Sequence, residues 1–270
     1  VMRKIMGGAW LGLVLLFLYL PILILAVYSF TDTPTIGTSG DFSFRNYSKL
    51  FTTPELLEMI AGTLSLAMKS AVISTILGTM GAIGAFYSRK GLRSFVVASN
   101  QIPVVNADVV TGFSICVLLI VVLGVDKETF IPLIVGHVVL ATPFVYLSVV
   151  PRLKQMDHNL YEAALDLGAN AATALRKVVI PQLIPGIVSG FLLAVTLSLD
   201  DYFITTYTKP ATFDTISTYV VNATKGAQTD IKTALWALST VIFVIILLAV
   251  LMGNLAGGRK DGGKRVKNER

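Results

Sequence analysis

"PRLKQMDHNLYEAALDLGANAATALRK", Pro151 to Lys177, separates two long apolar runs and differs from both. Before it, Phe130 to Val150 contains no Asp, Glu, Lys or Arg; after it, Val178 to Ile204 is apolar until Asp200 and Asp201. Each run is long enough to cross a hydrocarbon core of about 30 Å at 1.5 Å per helical residue. The segment between them has the pattern of a short amphipathic helix from Asp157 to Leu167. Asp157 or Asn159 is placed to cap its start, Glu162 and Asp166 face water, and Ala163, Ala164 and Leu167 form a smooth surface. Gly168 supplies the stop, because glycine adopts the left-handed conformation at C′ without strain. A second helical run, Ala169 to Val179, leads to Pro181, where the missing N–H predicts a new chain direction into the next run.

The same pattern continues along the chain in both directions. Its 270 residues are 54% hydrophobic and 14% charged, with a mean hydropathy of +0.74, where soluble domains carry about 25% charged residues. This excludes disorder, a disulfide scaffold and a secreted soluble enzyme. Six stretches reach membrane-crossing length: Ala9 to Phe30, Ala61 to Tyr87, Phe95 to Leu123, Phe130 to Val150, Val178 to Ile204 and Ala234 to Ala256. The first is too long for a signal-peptide core and lacks a small-x-small cleavage site, so it reads as a retained helix. Val1 before Met2 reads as a translated alternative start codon.

Orientation follows from basic residues, which concentrate at cytoplasmic span ends. With the N-terminus inside, 15 of the 22 Lys and Arg fall in inner segments, six in outer segments, and Lys69 within a span. Both termini are predicted to be cytoplasmic. The fold class is therefore all-α: a polytopic protein of six transmembrane helices, with a first helix and outer loop over 1–60, a core over 61–256 containing the loop 151–180, and a basic, disordered tail over 257–270. The net charge of +6 is explained by topology and anionic lipid; the scattered basic residues make no nucleic-acid footprint.

Glu162, Ala163, Ala164, three more residues, Gly168, nine more, Val178, one more, Ile180 and Pro181 resemble the "EAA" loop of type I importer permeases of the ATP-binding-cassette superfamily. That family usually has isoleucine and leucine at the places of Val178 and Ile180. The resemblance runs from about Ala61 to Ala256. It implies that the loop is the coupling helix seated in a groove of a cytoplasmic ATPase, with Glu162, Ala163, Ala164 and Gly168 at the contact and Pro181 at the hinge. "YLPILILAVYSF" (Tyr19 to Phe30), "RLKQMDHNLYEAALDLGA" (Arg152 to Ala169) and "LAVTLSLDDYFITTY" (Leu193 to Tyr207) look most like the C-type permease subunits of spermidine/putrescine transporters. This implies import of polyamines through the bacterial cytoplasmic membrane. The partners implied are two copies of the ATPase, a B-type permease and an extracytoplasmic polyamine-binding protein received by the outer loops. No cofactor is expected here: the chain has no G-x-x-x-x-G-K-[ST] loop, so ATP belongs to the partner ATPase and this chain is not itself an enzyme.

Ionisable groups in a span cost about 2.5–3.5 kcal/mol each on insertion scales. Lys69 and Asp108 come out at similar depth, so an ion pair between them is geometrically possible. Asp200 and Asp201 point about 100° apart on a helix and cannot share one partner. Either they meet outer water or they line the path, where carboxylates and the nearby aromatics Tyr202, Phe203 and Tyr207 suit a polycation. Asp108 is also a candidate for the substrate path, and Thr196, Asn106 and Thr111 are candidates for path contacts or helix-to-helix hydrogen bonds. His137 reads as a hydrogen-bonded packing residue; with His158 in the cytoplasmic loop, no metal site is expected, and Cys116 has no disulfide partner. Gly78, Gly81 and Gly84 form a small face suited to close packing. Two rival readings remain. An intramembrane aspartyl protease using Asp108 and Asp200 lacks the Gly-x-Gly-Asp context, and an ion-coupled carrier using Asp108 leaves the loop unexplained. A permease for another solute class in the same superfamily is the nearer alternative.

Overall fold

The computed structural model describes residues 2–31, 40–157, 159–225 and 233–244. Val1, His158, the far part of the sixth run and the tail 257–270 lie outside the described residues. Among those described, every extended element is helical, and a single antiparallel bridge joins Thr31 to Phe42. The helices are α1 (Met2–Tyr28), α2 (Arg45–Thr52), α3 (Pro54–Tyr87), α4 (Lys90–Val105), α5 (Asp108–Cys116, continued by a wide turn over Val117–Val122), α6 (Ile131–Gln155), α7 (Asn159–Asp166), α8 (Ala171–Ala174, continued by a wide turn over Leu175–Val179), α9 (Ile180–Asp200), α10 (Phe203–Thr208) and α11 (Ile216–Lys225). A further apolar helix, α12, covers Thr233–Val244.

Among the described residues, four helical stretches are long and apolar enough to cross a membrane: Trp10–Tyr28, Pro54–Tyr87, Ile131–Gln155 and Ala171–Asp200. A fifth is counted if α4 and α5, bent by 107° at their junction, form one span. The chain is a multi-pass membrane protein. The third apolar run is thus not the single straight helix its composition predicts. Asn106 and Ala107 are extended, with ψ of 146° and 138°. The break falls where the run is polar: Asn106 Nδ2 donates to Thr111 Oγ1 at 3.1 Å, and Asp108 sits in the first turn of α5, where a carboxylate favours the helix dipole. The second run also differs. It begins before its apolar part, at Pro54, and makes one helix of 34 residues, because nothing between Glu58 and Ala61 stops helix propagation once Pro54 has started it.

The chain divides into two compact units. In the unit of Val1–Leu57 and Val220–Arg270, the stretch Trp10–Tyr28 of α1 is apolar all round and none of it is buried, as expected where lipid is the solvent. Tyr19 meets Phe243 and Tyr28 meets Trp236, at 6.4 and 6.2 Å between ring centroids. The end of α1 is tied to α2: Ser29 Oγ lies 2.9 Å from the Tyr47 hydroxyl, and Asn46 Nδ2 donates to the carbonyls of Ser29 and Thr31.

In the unit of Glu58–Tyr219, α6 is the central helix. Its Val145 is fully buried, and glycines bring neighbouring helices against it from two sides. A Cβ at Gly78 of α3 would come 2.7 Å from Val145 Cβ, and one at Gly190 of α9 would come 3.1 Å from Val145 Cα. Of the predicted glycine face, Gly78 makes this close approach, whereas a Cβ at Gly84 would meet nothing within 4 Å. Leu153, Val179 and Leu183 extend the core toward the α7 end of α6.

Candidate functional site

The segment after α6 carries the first part of the site. Asp157 Oδ1 accepts from the Asn159 N–H at 3.0 Å, so Asp157 takes the capping role at the start of α7. At the other end Gly168 has φ +86°, its N–H donates to Leu165 O at 2.9 Å, and the Ala169 N–H donates to Ala164 O at 3.0 Å. These paired bonds close the helix as a Schellman motif, which only a left-handed C′ residue allows. No residue of α7 is buried. Glu162, Ala163 and Gly168 are exposed, Ala164 is half-buried, and Leu167 is 90% exposed. A Cβ at Gly168 would meet nothing, so the space over this end of α7 is open. Behind α7 a cavity of about 540 Å³ is lined by Phe86, Tyr87, Arg93, Lys154, Tyr161 and Glu162.

Pro181 does not turn the chain as expected. It lies in the first turn of α9, and the chain stays helical from Ala171 to Asp200. The wide turn over Leu175–Val179 immediately precedes it. Such a turn shifts carbonyls out of i−4 register, where the proline ring would clash and its missing N–H would leave a gap.

The second part is polar and interior. The fifth apolar run ends earlier than its composition predicts: α9 stops at Asp200, Asp201 is extended with ψ 126°, and α10 begins at Phe203. The two adjacent aspartates have opposite surroundings. Asp200 is exposed, whereas Asp201 is 8% exposed and turned inward. The Asp201 carboxylate accepts from the N–H groups of Ile204 and Thr205, at 3.2 and 2.8 Å, and from Thr205 Oγ1 at 2.7 Å. His137 of α6, fully buried, places Nε2 3.0 Å from Thr205 Oγ1 and 3.7 Å from Asp201 Oδ2. Its Nδ1 lies 2.8 Å from Ser198 Oγ of α9, which lies 3.1 Å from Ser70 Oγ of α3.

Among the other predicted path residues, Asp108 is exposed at the bend, and no ion pair joins it to Lys69, itself exposed. The bend overturns the straight-helix depth count on which that pairing rested. Thr196 is exposed, with its hydroxyl donating to Leu192 O; Tyr202 and Tyr207 are half-buried. Helices α5 and α10 pack together, with Phe113 and Tyr207 edge to face at 5.9 Å and Gly112 against the Ile204 backbone. The Ser70–Ser198–His137–Thr205–Asp201 chain escapes a sequence reading, except for the signal of a histidine inside an apolar run. Among the described residues no cluster of His, Cys, Asp and Glu is arranged to hold a metal.

Residues 74–257 match the family model described as binding-protein-dependent transport system inner membrane component. The chain belongs to that family. The permease is 29% identical over 261 residues to the spermidine/putrescine transport system permease protein PotC of Escherichia coli (strain K12), covering 96% of this chain and 97% of PotC. It is 30% identical over 236 residues to the putrescine transport system permease protein PotI of the same organism, covering 84% and 81%. The fold is that of a chain in the crystal structure of a bacterial alginate ABC transporter in complex with an alginate pentasaccharide-bound periplasmic protein, with a TM-score of 0.72 at 19% identity over 92% of the permease and 91% of that chain. The permease is a transport subunit.

Proposed function

We propose that this chain is the membrane subunit of an ATP-driven importer that carries polyamines, spermidine or putrescine, across the cytoplasmic membrane. The observation that carries the reading is similarity along nearly the whole of both chains to PotC, a spermidine/putrescine permease. The site supports it chemically. A flexible cation with separated ammonium groups needs spaced carboxylates and aromatic faces, and Asp108 and Asp200 are both exposed in helices otherwise rich in apolar side chains. Thr196, Tyr202 and Tyr207 complete the path in this reading, and Asp201 supports it from inside.

The finer architecture belongs to the same proposal. Six spans place both termini in the cytoplasm. On that side the exposed helix α7 offers Glu162, Ala163, Ala164 and the open end at Gly168 to a separate ATPase, with Pro181 at the base of the following span. Two ATPase copies, a second permease of the B type and an external polyamine-binding protein complete the transporter, and the ATPases hold the nucleotide. Closure of the ATPases on ATP moves α7, and hydrolysis returns it, so the path opens alternately to the two sides. The test is uptake of radiolabelled spermidine and putrescine by polyamine-deficient cells expressing the whole transporter. Saturable uptake abolished by a hydrolysis-dead ATPase is expected; uptake that persists without the ATPase would instead favour an ion-coupled carrier.

A further inference from the structure

The imidazole of His137 bridges two helices that the backbone leaves separate. Ser198 belongs to α9 and Thr205 to α10, and between them the chain is broken at Asp201 and Tyr202. One ring nitrogen meets each hydroxyl, at 2.8 and 3.0 Å.

Proton accounting gives the network a direction. A carboxylate only accepts, and the Thr205 hydroxyl has one proton, which points to Asp201 Oδ2 at 2.7 Å. Thr205 Oγ1 therefore accepts from His137 Nε2–H, leaving Nδ1 of the neutral ring to accept from the Ser198 hydroxyl. Every buried polar atom in this chain of contacts has a partner, as such atoms require. A one-residue slip at the break would carry Asp200 into the enclosed place of Asp201 and Asp201 into the half-buried place of Tyr202. The two hydrogen bonds of the rigid ring, made seven residues apart on either side of the break, oppose that slip.

We propose that His137 is a positioning residue for transport: its ring staples α9 to α10 across the break, holding Asp201 inward and so presenting Asp200 outward. The staple is independent of the substrate; only the role given to Asp200 rests on the importer reading. Glutamine can replace the ring in part, since its amide carries a donor N–H₂ and an acceptor oxygen, whereas phenylalanine keeps the bulk and loses both bonds.

The test uses the complete transporter in membranes, with Cys116→Ala and a reporter Asp200→Cys, and follows the rate of reaction with a membrane-impermeant thiol reagent in the absence of substrate. Losing a buried hydrogen bond shifts a local equilibrium by about tenfold. His137→Phe is expected to change the labelling rate at position 200 by about that factor, and His137→Gln to keep it within about threefold. Thr205→Val, which removes the hydroxyl between ring and carboxylate at nearly constant shape, is expected to act in the same direction and carries the test if His137→Phe does not assemble. In chains that keep Asp200, His137→Phe is expected to raise the KM for polyamine uptake more than it lowers the maximal rate, with the ATPase still copurifying and His137→Gln restoring the KM. Unchanged labelling in both His137→Phe and Thr205→Val would overturn the staple, as would an unreactive cysteine at position 200 when His137 is present. Altered labelling in a transporter that takes up no polyamine at all would leave the staple standing and remove the polyamine reading alone.

Discussion

Asp200 and Asp201 differ by one position and by almost everything else. Asp201 accepts three hydrogen bonds and is nearly enclosed, so Asp201→Asn replaces an acceptor by an amide whose N–H₂ faces other donors. A buried donor or acceptor left unsatisfied costs about 1–3 kcal/mol. The expected result is a lower melting temperature of the detergent-purified protein and a reduced yield in membranes. Asp200→Asn touches no such network and is expected to leave melting unchanged while raising the KM for polyamine uptake about tenfold, the loss of a single charge contact with a cation. Equal effects of the two substitutions on melting would contradict the assignment of one inward and one outward carboxylate. That adjacent helical aspartates must diverge was legible in the sequence, because the 100° step is local. Which one turns inward was not, since the answer depends on His137, more than sixty residues away in the chain.

Helix α7 was legible for the same local reason: Asp157 starts it, Gly168 ends it, and both signals lie within a turn of the residues they act on. Its Schellman closure makes a sharp prediction. A β-branched residue at φ +86° carries strain of about 1–3 kcal/mol, so Gly168→Val should unwind the end of α7 and lose the ATPase on mild-detergent copurification. Gly168→Asn, which tolerates the left-handed region, should retain it. Leu167, 90% exposed beside that turn, is an apolar side chain outside the membrane-spanning helices with no partner side chain of its own to cover it. Leu167→Asp is expected to weaken ATPase copurification without altering membrane insertion; full retention would show that the exposed end of α7 is not the contact. Elements that depend on absorbed irregularity were harder to read. Pro181 predicts a turn, and a wide helical turn before it removes the need for one; the third apolar run has the length of a span, yet length does not register an extended pair of residues at Asn106 and Ala107.

At the scale of the unit built around α6, packing sets how closely helices approach. Gly78→Leu would drive a side chain into Val145 and the Thr142 carbonyl, at 2.7 and 2.9 Å from a Cβ, and overpacking of this kind costs about 1–3 kcal/mol. Gly84→Ala, with nothing within 4 Å, is expected to leave the melting temperature unchanged or raise it slightly. The bend between α4 and α5 makes the larger demand. Extended backbone at membrane depth cannot face lipid, because its N–H and C=O groups have no partner there; it must be covered by protein or line a wet cavity. Asn106, Ala107 and Asp108 are all exposed; the Asn106 N–H donates to Ile102 O and the Ala107 carbonyl accepts from the Thr111 N–H, while the Asp108 carboxylate has no such partner among the described residues of this chain. The surface of α1 presents the opposite case: Leu13, Phe17 and Leu20 are exposed on a helix with no charged side chain between Gly7 and Tyr28, which lipid satisfies completely. In a Cys116→Ala background, single cysteines at positions 106 and 108 are therefore expected to react with a hydrophilic thiol reagent in the assembled transporter, and to be slowed by saturating polyamine. Cysteines at positions 13 and 17 should stay unreactive under the same conditions. If positions 106 and 108 were as inert as α1, the bend would be sealed by the second permease, and Asp108 would act in assembly instead of in the path.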